Sequence, residues 1–129
     1  MIGDVIQHGS WLIRKEFIRH SGGLAHFKVE CDHLTDEEIA TFAYLIHEKI
    51  PNIGRLVPVP SGGNRIAEAL QRYSVPAYHT PSLIVEDVAS TGASMEEYKD
   101  SHNDIGVVLF WIGEKEVPCW IRPVFSLWV

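Results

Sequence analysis

The stretch Leu83–Ser94, which reads LIVEDVASTGAS, decides the fold of this chain. It begins with an apolar run that shows almost no polar alternation until Glu86 and Asp87. Such a run is typical of a strand that is buried on both faces of a parallel sheet. Small residues and one glycine follow the two acids and lead into a helix-forming segment. The stretch therefore predicts a strand, a tight turn and a helix, with two carboxylates where the strand ends.

Strand and helix signals alternate along the rest of the chain from Thr35 onward. Thr35 and Glu38 form a capping box, and the helix that they begin ends before Pro51. The elements predicted after this helix are strand Leu56–Pro60, helix Arg65–Tyr73, strand Leu83–Val88, helix Ser94–Lys99, strand Ile105–Ile112, and one or two strands within Cys119–Val129 that Pro123 breaks. This alternation predicts a single α/β domain with a mainly parallel, twisted sheet and flanking helices.

The first 34 residues carry weaker signals. Residues 5–19 fit either a short helix or a strand, and Ser21, Gly22 and Gly23 mark a turn. Ala25–Cys31 alternates between apolar and polar side chains, which predicts a half-buried strand. We therefore expect residues 1–34 to form a separate segment before an α/β core over residues 35–129.

Composition and charge narrow the class of protein. With 129 residues the chain is long enough to bury a sizeable core. Its net charge of −6 argues against a non-specific nucleic-acid binder, which needs a basic surface. Cys31 and Cys119 do not make a disulfide framework, and we find neither a signal-peptide pattern nor an apolar stretch of transmembrane length. We expect a cytoplasmic protein without nucleic-acid or membrane partners.

Two predicted strands end in glycine-containing turns that lead into helices, at Pro60–Gly63 and at Ala89–Gly92. The carboxyl ends of parallel strands meet at one edge of a sheet, so we expect the two turns to lie side by side there. N–H groups at such a junction point outward, and glycine lets the backbone close around an anion. Because the hydroxyls of Ser90, Thr91 and Ser94 add donors, the second turn is a candidate site for a monophosphate.

The acids Glu86 and Asp87 would repel a phosphate that they touched, so they fit better a short distance from it. There they could accept hydrogen bonds from sugar hydroxyls or organise Mg²⁺. A second anion site at Ser61–Gly63 would complete a site for a phosphorylated ribose that carries a pyrophosphate. Plainer interpretations stay open: the acids can end a strand in solvent, with Asp87 starting a turn, and Ser61–Gly63 can be a simple connection. Arg65 can equally be a solvated helix position.

Several segments of the sequence resemble a known family. LIVEDVASTGAS resembles the phosphoribosyl-pyrophosphate signature of type I phosphoribosyltransferases, with Ala89 in place of a larger aliphatic residue. LVPVPSGGNRIAEAL, residues 56–70, is similar to the pyrophosphate loop of the same family. FIRHSGGLAHFKVECDHL, residues 17–34, resembles the N-terminal segment of orotate phosphoribosyltransferases, and residues 117–128 are similar to the end of that subfamily. The resemblance implies the family's α/β fold, with residues 1–34 as a small hood.

The resemblance also implies a reaction, in which 5-phosphoribosyl moves from phosphoribosyl pyrophosphate to a nitrogenous base and pyrophosphate is released. Glu86 and Asp87 would be the catalytic pair that holds the ribose hydroxyls and meets Mg²⁺ only through the ligand. The implied ligand sites are Ala89, Ser90, Thr91, Gly92, Ala93 and Ser94 for the 5′-phosphate, Ser61, Gly62, Gly63, Asn64 and Arg65 for the pyrophosphate, and Trp11, His20 and Ser21 for the base. Mg²⁺ is the implied cofactor, and a homodimer is the implied assembly.

Three departures from the family pattern change what the resemblance implies. The family's long mobile loop is replaced by residues 74–81, which contain no lysine or arginine. Glu96 stands where orotate enzymes have an arginine that meets the orotate carboxylate, and His20 stands where they have a lysine. The changes at positions 20 and 96 favour a neutral or cationic base over orotate. The missing loop favours the alternative, a non-catalytic regulatory module that binds phosphoribosyl pyrophosphate or a nucleotide.

Overall fold

The structure, a computed structural model, describes residues 10–18, 22–77 and 79–127. Its elements in chain order are β1 (Leu12–Ile18), β2 (Leu24–Val29), a 3-10 helix (Cys31–His33), α1 (Asp36–Lys49), β3 (Leu56–Pro58), α2 (Asn64–Leu70), a second 3-10 helix (Gln71–Tyr73), β4 (Leu83–Ala89), α3 (Ala93–Glu96), β5 (Ile105–Trp111) and β6 (Ile121–Ser126). In this part of the chain, no helix has the length and apolar character needed to cross a membrane.

Four strands form a parallel sheet in the order β3-β4-β5-β6. In its register, Val57 of β3 lies beside Ile84 of β4, and Val85 of β4 lies beside Val107 of β5. The two central strands, β4 and β5, are the ones with continuous apolar runs, because helices or loops cover them on both faces. The predicted α/β architecture with a mainly parallel sheet is therefore confirmed.

Two apolar cores cover the two faces of this sheet. On one face, α1 and α2 pack on the sheet through Ile39, Ala43, Ile46, Ile66 and Leu70, which meet Leu83, Val85, Val107 and Leu109. On the other face, Met95 of α3 packs with Val59, Ile84, Val108, Trp111 and Ile121. Successive residues of β4 alternate between the two cores, since side chains along a strand point to opposite faces.

The strands β1 and β2 form a separate antiparallel hairpin. The pairing is irregular between Arg14 and Phe17, where the register shifts. Just before the hairpin, the ring of Trp11 stacks on Phe110 of the central strand β5, with ring centroids 4.8 Å apart. Of the two structures considered for residues 5–19, the strand is therefore the one found over the described residues 12–18. Residues 5–9 and 19 lie outside the described residues.

The capping box predicted at the start of α1 is present. The Thr35 hydroxyl accepts a hydrogen bond from the Glu38 N–H at 3.0 Å, and the Glu38 carboxylate accepts one from the Thr35 N–H at 2.9 Å. These bonds satisfy two of the N–H groups that lack a partner within the helix. Helix α1 ends at Lys49, and Pro51 follows it as expected.

Some element bounds differ from the prediction. Pro123 does not break the last strand: it lies inside β6, beside Val108 of β5. The strand tolerates it because β6 is at the edge of the sheet and needs backbone donors on one side only. Strand β3 ends at Pro58 rather than at Pro60, and α3 ends at Glu96 rather than at Lys99.

Candidate functional site

The two glycine-containing turns follow β3 and β4, which are neighbours in the parallel sheet, so both turns lie at its carboxyl edge. The first turn contacts β4 at Asp87, since a Cβ atom added at Gly62 would overlap the Asp87 carboxylate. The first turn is also fixed to β4 by a hydrogen bond of 2.8 Å from the Val59 N–H to the Val85 carbonyl. The peptide bond between Pro60 and Ser61 is cis. The predicted side-by-side placement of the turns is confirmed.

The carboxylate of Asp87 lines a small cavity of about 40 Å³, which we call the Asp87 cavity. The other lining residues are Cys31, Asp32, Leu34, Ile39, Ser61, Gly62, Arg65, Ile66 and Leu109. One Asp87 oxygen accepts a hydrogen bond of 2.7 Å from the N–H of Val88. The structure thus brings Ser61, Gly62 and Arg65 of the predicted pyrophosphate group together with Asp87. It does not place Gly63 or Asn64 on this cavity.

The guanidinium of Arg65 is already bonded. It donates to the carbonyls of Leu34 at 2.9 Å and Cys31 at 3.4 Å, and it pairs with the Asp36 carboxylate at 3.0 Å. These partners lie at the 3-10 helix after β2 and at the beginning of α1. Arg65 therefore connects α2 to both segments. The pyrophosphate role given to it by sequence stays a prediction.

A second cavity, which we call the phosphate-loop cavity, has a volume of about 120 Å³. It is lined by Glu86, Val88, Ala89, Ser90, Thr91, Gly92, Ala93, Ser94 and Met95, so it contains every residue predicted for the 5′-phosphate. Gly92 has a φ of +82°, a left-handed conformation that favours glycine, and a Cβ there would lie 2.8 Å from the Ile121 side chain. The Thr91 hydroxyl accepts a hydrogen bond of 3.2 Å from the Ala93 N–H. The loop is thus a tight turn with hydroxyl groups at its surface.

Glu86 is almost buried, with 8% of its surface exposed. Its carboxylate accepts a hydrogen bond of 3.2 Å from the Asp87 N–H. Burial, together with the neighbouring Asp87 carboxylate, raises the pKa of Glu86 to about 8. Both causes disfavour the charged form, so a large fraction of Glu86 is protonated at neutral pH.

The two acids line different cavities, although they are adjacent in sequence. Residues next to each other in a strand point to opposite faces, which separates the Asp87 cavity from the phosphate-loop cavity. Among the described residues, no group of three or more His, Cys, Asp or Glu side chains could hold a metal ion. A single carboxylate beside ligand phosphates is nevertheless an environment that Mg²⁺ accepts, because it keeps most of its own waters. Asp87 fits this indirect role.

Sequence reasoning did not find a third cavity, of about 220 Å³, beneath the hairpin. This hairpin cavity is lined mainly by apolar residues: Phe17, Ala25, Phe27, Lys28, Val29, Val88 and Ile112. Val88 also lines the phosphate-loop cavity, so the two cavities adjoin. The available signal was the alternation in β2, which places Phe27 and Val29 on one face. Of the residues predicted for the base, Trp11 packs on Phe110 instead of lining this cavity, and His20 and Ser21 lie outside the described residues.

The thiol of Cys31 lies beside Asp87 on the same cavity. Burial, followed by the negative charge and hydrogen bonding of Asp87, raises the pKa of this thiol far above its ordinary range. The thiol therefore stays protonated and is a poor nucleophile. Cys31 contributes a weak hydrogen-bond donor near the carboxylate rather than a reactive group.

Two solved structures resemble the chain in fold. The crystal structure of orotate phosphoribosyltransferase from Aeropyrum pernix has a TM-score of 0.63 and 21% sequence identity, over 88% of this chain and 83% of that chain. The structure of Mycobacterium tuberculosis H37Rv orotate phosphoribosyltransferase in complex with Fe(III) dicitrate has a TM-score of 0.62 and 16% identity, over 95% and 93%. No protein-family model and no curated protein sequence matches the chain. The chain therefore has the type I phosphoribosyltransferase fold, in the form seen in orotate phosphoribosyltransferases.

Proposed function

We propose that the chain is a phosphoribosyltransferase, which moves 5-phosphoribosyl from phosphoribosyl pyrophosphate to a neutral nitrogenous base. The observation that carries this proposal is that the two glycine-containing turns follow neighbouring parallel strands, with Glu86 and Asp87 in the second strand and Gly62 of the first turn against the Asp87 carboxylate. The likeness in fold to orotate phosphoribosyltransferases supports the same reaction class. In that reaction, the bond from the anomeric carbon to the pyrophosphate oxygen breaks and a bond from this carbon to a base nitrogen forms. Where that nitrogen carried a proton, the proton passes to water or to the released pyrophosphate.

The protein's part in such a transfer is to position the ribose and to stabilise the positive charge that develops on its ring. Asp87 has lone pairs left after its bond with the Val88 N–H, and they can accept hydrogen bonds from ribose hydroxyls. Glu86, when protonated, can donate a hydrogen bond to a ribose oxygen. Residues 89–94 would hold the 5′-phosphate in the cavity that Glu86 also lines. When bound, Mg²⁺ would neutralise charge on the departing pyrophosphate.

The hairpin cavity supports a base without charge. Against the apolar side chains of Phe17, Phe27 and Ile112, a carboxylate would lose its water without a hydrogen bond from them. Among the described residues that line this cavity, Lys28 is the one cation, and its amine already pairs with Glu30 at 2.8 Å. A neutral ring, in contrast, would bury apolar surface there favourably.

A second candidate function is a non-catalytic module that binds phosphoribosyl pyrophosphate or a nucleotide. The observation in its favour is the short connection between α2 and β4, which begins bound to the core. The Ser74 hydroxyl donates to the Gly54 carbonyl at 2.7 Å, and the Val75 N–H donates to the Ile53 carbonyl at 2.8 Å. Closure that excludes water is a common way for an enzyme to complete its site. A short connection that is bound to the core is poorly suited to such closure, which favours a module that binds without catalysis.

The experiment that separates the two candidates is a pyrophosphate-release assay over a panel of bases, with Mg²⁺. For a transferase we expect release with one base, and loss of at least about a hundredfold in rate for the double variant Glu86→Gln, Asp87→Asn. Asp100→Asn is the control, since Asp100 is an exposed carboxylate that pairs with Arg55. Unchanged turnover in the double variant would contradict the roles of the two acids. Binding of phosphoribosyl pyrophosphate without release for any base would favour the regulatory module.

A further inference from the structure

The connection between α2 and β4, residues 74–81, is bound at the opposite edge of the sheet from the candidate site. Ser74 pairs with Ile53 in an isolated bridge, and its hydroxyl donates to the Gly54 carbonyl at 2.7 Å. At the other end of the connection, the Pro81 carbonyl lies against Gly54, where an added Cβ atom would overlap it. Ile53 and Gly54 come just before β3, so both ends of the connection are fixed at the amino edge of the parallel sheet.

Chain length prevents this connection from reaching the candidate site. Asp87 is four residues along β4 from Leu83, which is about 13 Å at about 3.3 Å per residue. A stretch that is held at Val75 and Pro81 extends only about 10 Å from these points, because each residue spans at most about 3.5 Å. Residues 74–81 therefore do not close over the carboxyl edge of the sheet.

The carboxyl edge is exposed where the ligand groups would lie. Ser61 of the first turn and Ser90, Thr91 and Ser94 of the second turn are exposed, and Asp87 is half-buried. Closure of a site is what keeps water away from a reactive intermediate. A phosphoribosyl group that is held at this edge would therefore stay in contact with solvent while its anomeric carbon reacts.

The side from which a base would approach is also accessible to water. The hairpin cavity is open to solvent and has a volume of about 220 Å³, whereas one water molecule takes about 30 Å³ in the liquid. Phe17, Phe27 and Ile112 on this cavity give water no hydrogen bonds from their side chains, so a base would displace the water favourably. Water is thus the acceptor at hand when no base is bound, and a bound base excludes it.

We propose that, in the absence of a base, the chain transfers 5-phosphoribosyl to water and so hydrolyses phosphoribosyl pyrophosphate to ribose 5-phosphate and pyrophosphate. This inference rests on the proposed function, since it uses the same site and the same donor. The bond from the anomeric carbon to the pyrophosphate oxygen breaks, and its electron pair leaves with the pyrophosphate. A water oxygen bonds to the anomeric carbon, and one proton of this water passes to solvent or to the released pyrophosphate.

A pyrophosphate-release assay of the full chain with Mg²⁺ and no base tests this activity. We expect continuous release, and a loss of at least about a hundredfold in rate for the double variant Glu86→Gln, Asp87→Asn. The control Asp100→Asn should keep the rate of the parent. In water enriched in oxygen-18, the released pyrophosphate should carry no label, because the bond that breaks is between carbon and oxygen. Labelled pyrophosphate would mean attack at phosphorus and would contradict the inference.

The panel of bases separates this inference from the proposed function. Release with one base and none without it would overturn the inference and leave the proposed function standing. If no pyrophosphate is released with or without any base, the proposed function fails as well. A base that is an acceptor should replace ribose 5-phosphate by a nucleotide among the products, because it takes the place of water. An unchanged yield of ribose 5-phosphate at saturating base would show that water does not use the side of the base.

Two further measurements test whether open access to solvent is the cause. In dilute methanol we expect part of the product to be methyl riboside 5-phosphate, because methanol is small and neutral and reaches the same carbon. Ser74→Ala removes the hydroxyl that binds the connection to Gly54, and it should leave the ratio of hydrolysis to transfer unchanged. Hydrolysis without any methyl riboside, or a changed ratio in Ser74→Ala, would rule out the open carboxyl edge as the cause.

Discussion

Glu86 illustrates how one position in a strand sets the chemistry of a side chain. The alternation of β4 directs it to the sheet face that carries Ile84 and Met95, where it is almost fully buried. Burial and the Asp87 carboxylate both favour the protonated form, which raises the pKa to about 8. In the unfolded chain the same carboxyl returns to its ordinary value of 4.5. Folding is therefore coupled to the uptake of a proton between pH 4.5 and pH 8.

The sign of this coupling gives the first prediction. A group whose pKa is raised by folding stabilises the folded state at low pH, and this stabilisation is lost as the pH rises through the folded pKa. We expect Glu86→Gln, which mimics the protonated form, to lose less stability than the parent between pH 5 and pH 8. The difference should be on the order of 2–3 kcal/mol in the free energy of unfolding. Urea denaturation at the two pH values measures it.

The control for this prediction is Glu97→Gln, because Glu97 is an exposed carboxyl. It should follow the parent at both pH values. A Glu86→Gln variant whose stability falls with pH as steeply as that of the parent would show that Glu86 does not carry a raised pKa.

Gly62 leads to the second prediction, which is a double-mutant cycle with Asp87. The three atoms nearest to a Cβ at Gly62 all belong to the Asp87 carboxylate, so Gly62→Ala should cost about 1–3 kcal/mol of stability. In an Asp87→Ala background the carboxylate is gone, and the same change should be nearly neutral or slightly stabilising. Chemical denaturation of the four proteins gives the coupling energy. Additive effects would mean that the two residues do not touch.

Among single residues, the sequence alone predicted that Glu86, Asp87 and the hydroxyl-bearing turn come at the end of a buried strand, because acids at the end of an apolar run are a local pattern; their functional roles stay predictions. It could not show whether the Arg65 guanidinium is already bonded within the protein. Whether a guanidinium is free for a ligand depends on Leu34 and Asp36, which are about 30 positions away in the chain. Contacts of this kind follow from how elements pack, and no local pattern contains them.

At the scale of elements, the loop from β4 to α3 depends on one glycine conformation. Gly92 combines a φ of +82° with a close neighbour, since its Cβ would lie 2.8 Å from the Ile121 side chain of β6. Gly22 has a similar φ of +91° but no atom within 4 Å of a Cβ. The two glycines therefore differ in packing while they share the same backbone requirement.

This pair gives the third prediction. Gly22→Ala should cost about 1–2 kcal/mol, from backbone strain alone. Gly92→Ala should cost more, because it adds the contact with Ile121, and it should also weaken ribose 5-phosphate binding, which Gly22→Ala should leave as it is. Thermal denaturation and calorimetric titration measure the two effects. Equal destabilisation in both variants would mean that the loop moves freely away from Ile121.

Elements were predictable where the pattern is local and strong. The apolar runs of β4 and β5 and the capping box of α1 gave the right structure, since burial on both faces and N-capping leave direct marks in sequence. The effect of Pro123 was predicted wrongly, because whether a strand is at a sheet edge is decided by its neighbours. The hairpin cavity was missed for the same reason, since it needs β2 to meet the ends of β4 and β5.

At the scale of the whole molecule, an apolar groove of about 460 Å³ lies between α1 and the edge strand β6. Leu45 and Phe125 on this groove are 40% and 41% exposed, which is high for large apolar side chains. Glu48, Lys49 and Arg122 line the same groove, so it carries charges of both signs. The homodimer expected from the resemblance stays a prediction, and this groove is where we expect its contact.

The fourth prediction concerns this assembly. Leu45→Glu places a charge in the groove, so we expect it to convert a dimer into a monomer in sedimentation velocity. Tyr98→Glu is the matched control, because Tyr98 is exposed to a similar degree, 38%, and does not line the groove. A parent protein that sediments as a monomer at all concentrations, or a Leu45→Glu protein that remains a dimer, would contradict a dimer through this groove.

The bonds of Arg65 have a consequence for how ligands affect one another. One guanidinium fastens α2 to the carbonyls that follow the hairpin, and the hairpin in turn forms one wall of the cavity proposed for the base. An anion that binds the Arg65 guanidinium would break its hydrogen bonds to these carbonyls. A base that stabilises the hairpin would instead favour those hydrogen bonds. Coupling between two sites is reciprocal, so each ligand would weaken the other by the same factor. A base and a pyrophosphate would thus be antagonists that communicate through a single side chain, and the departure of one would favour the retention of the other.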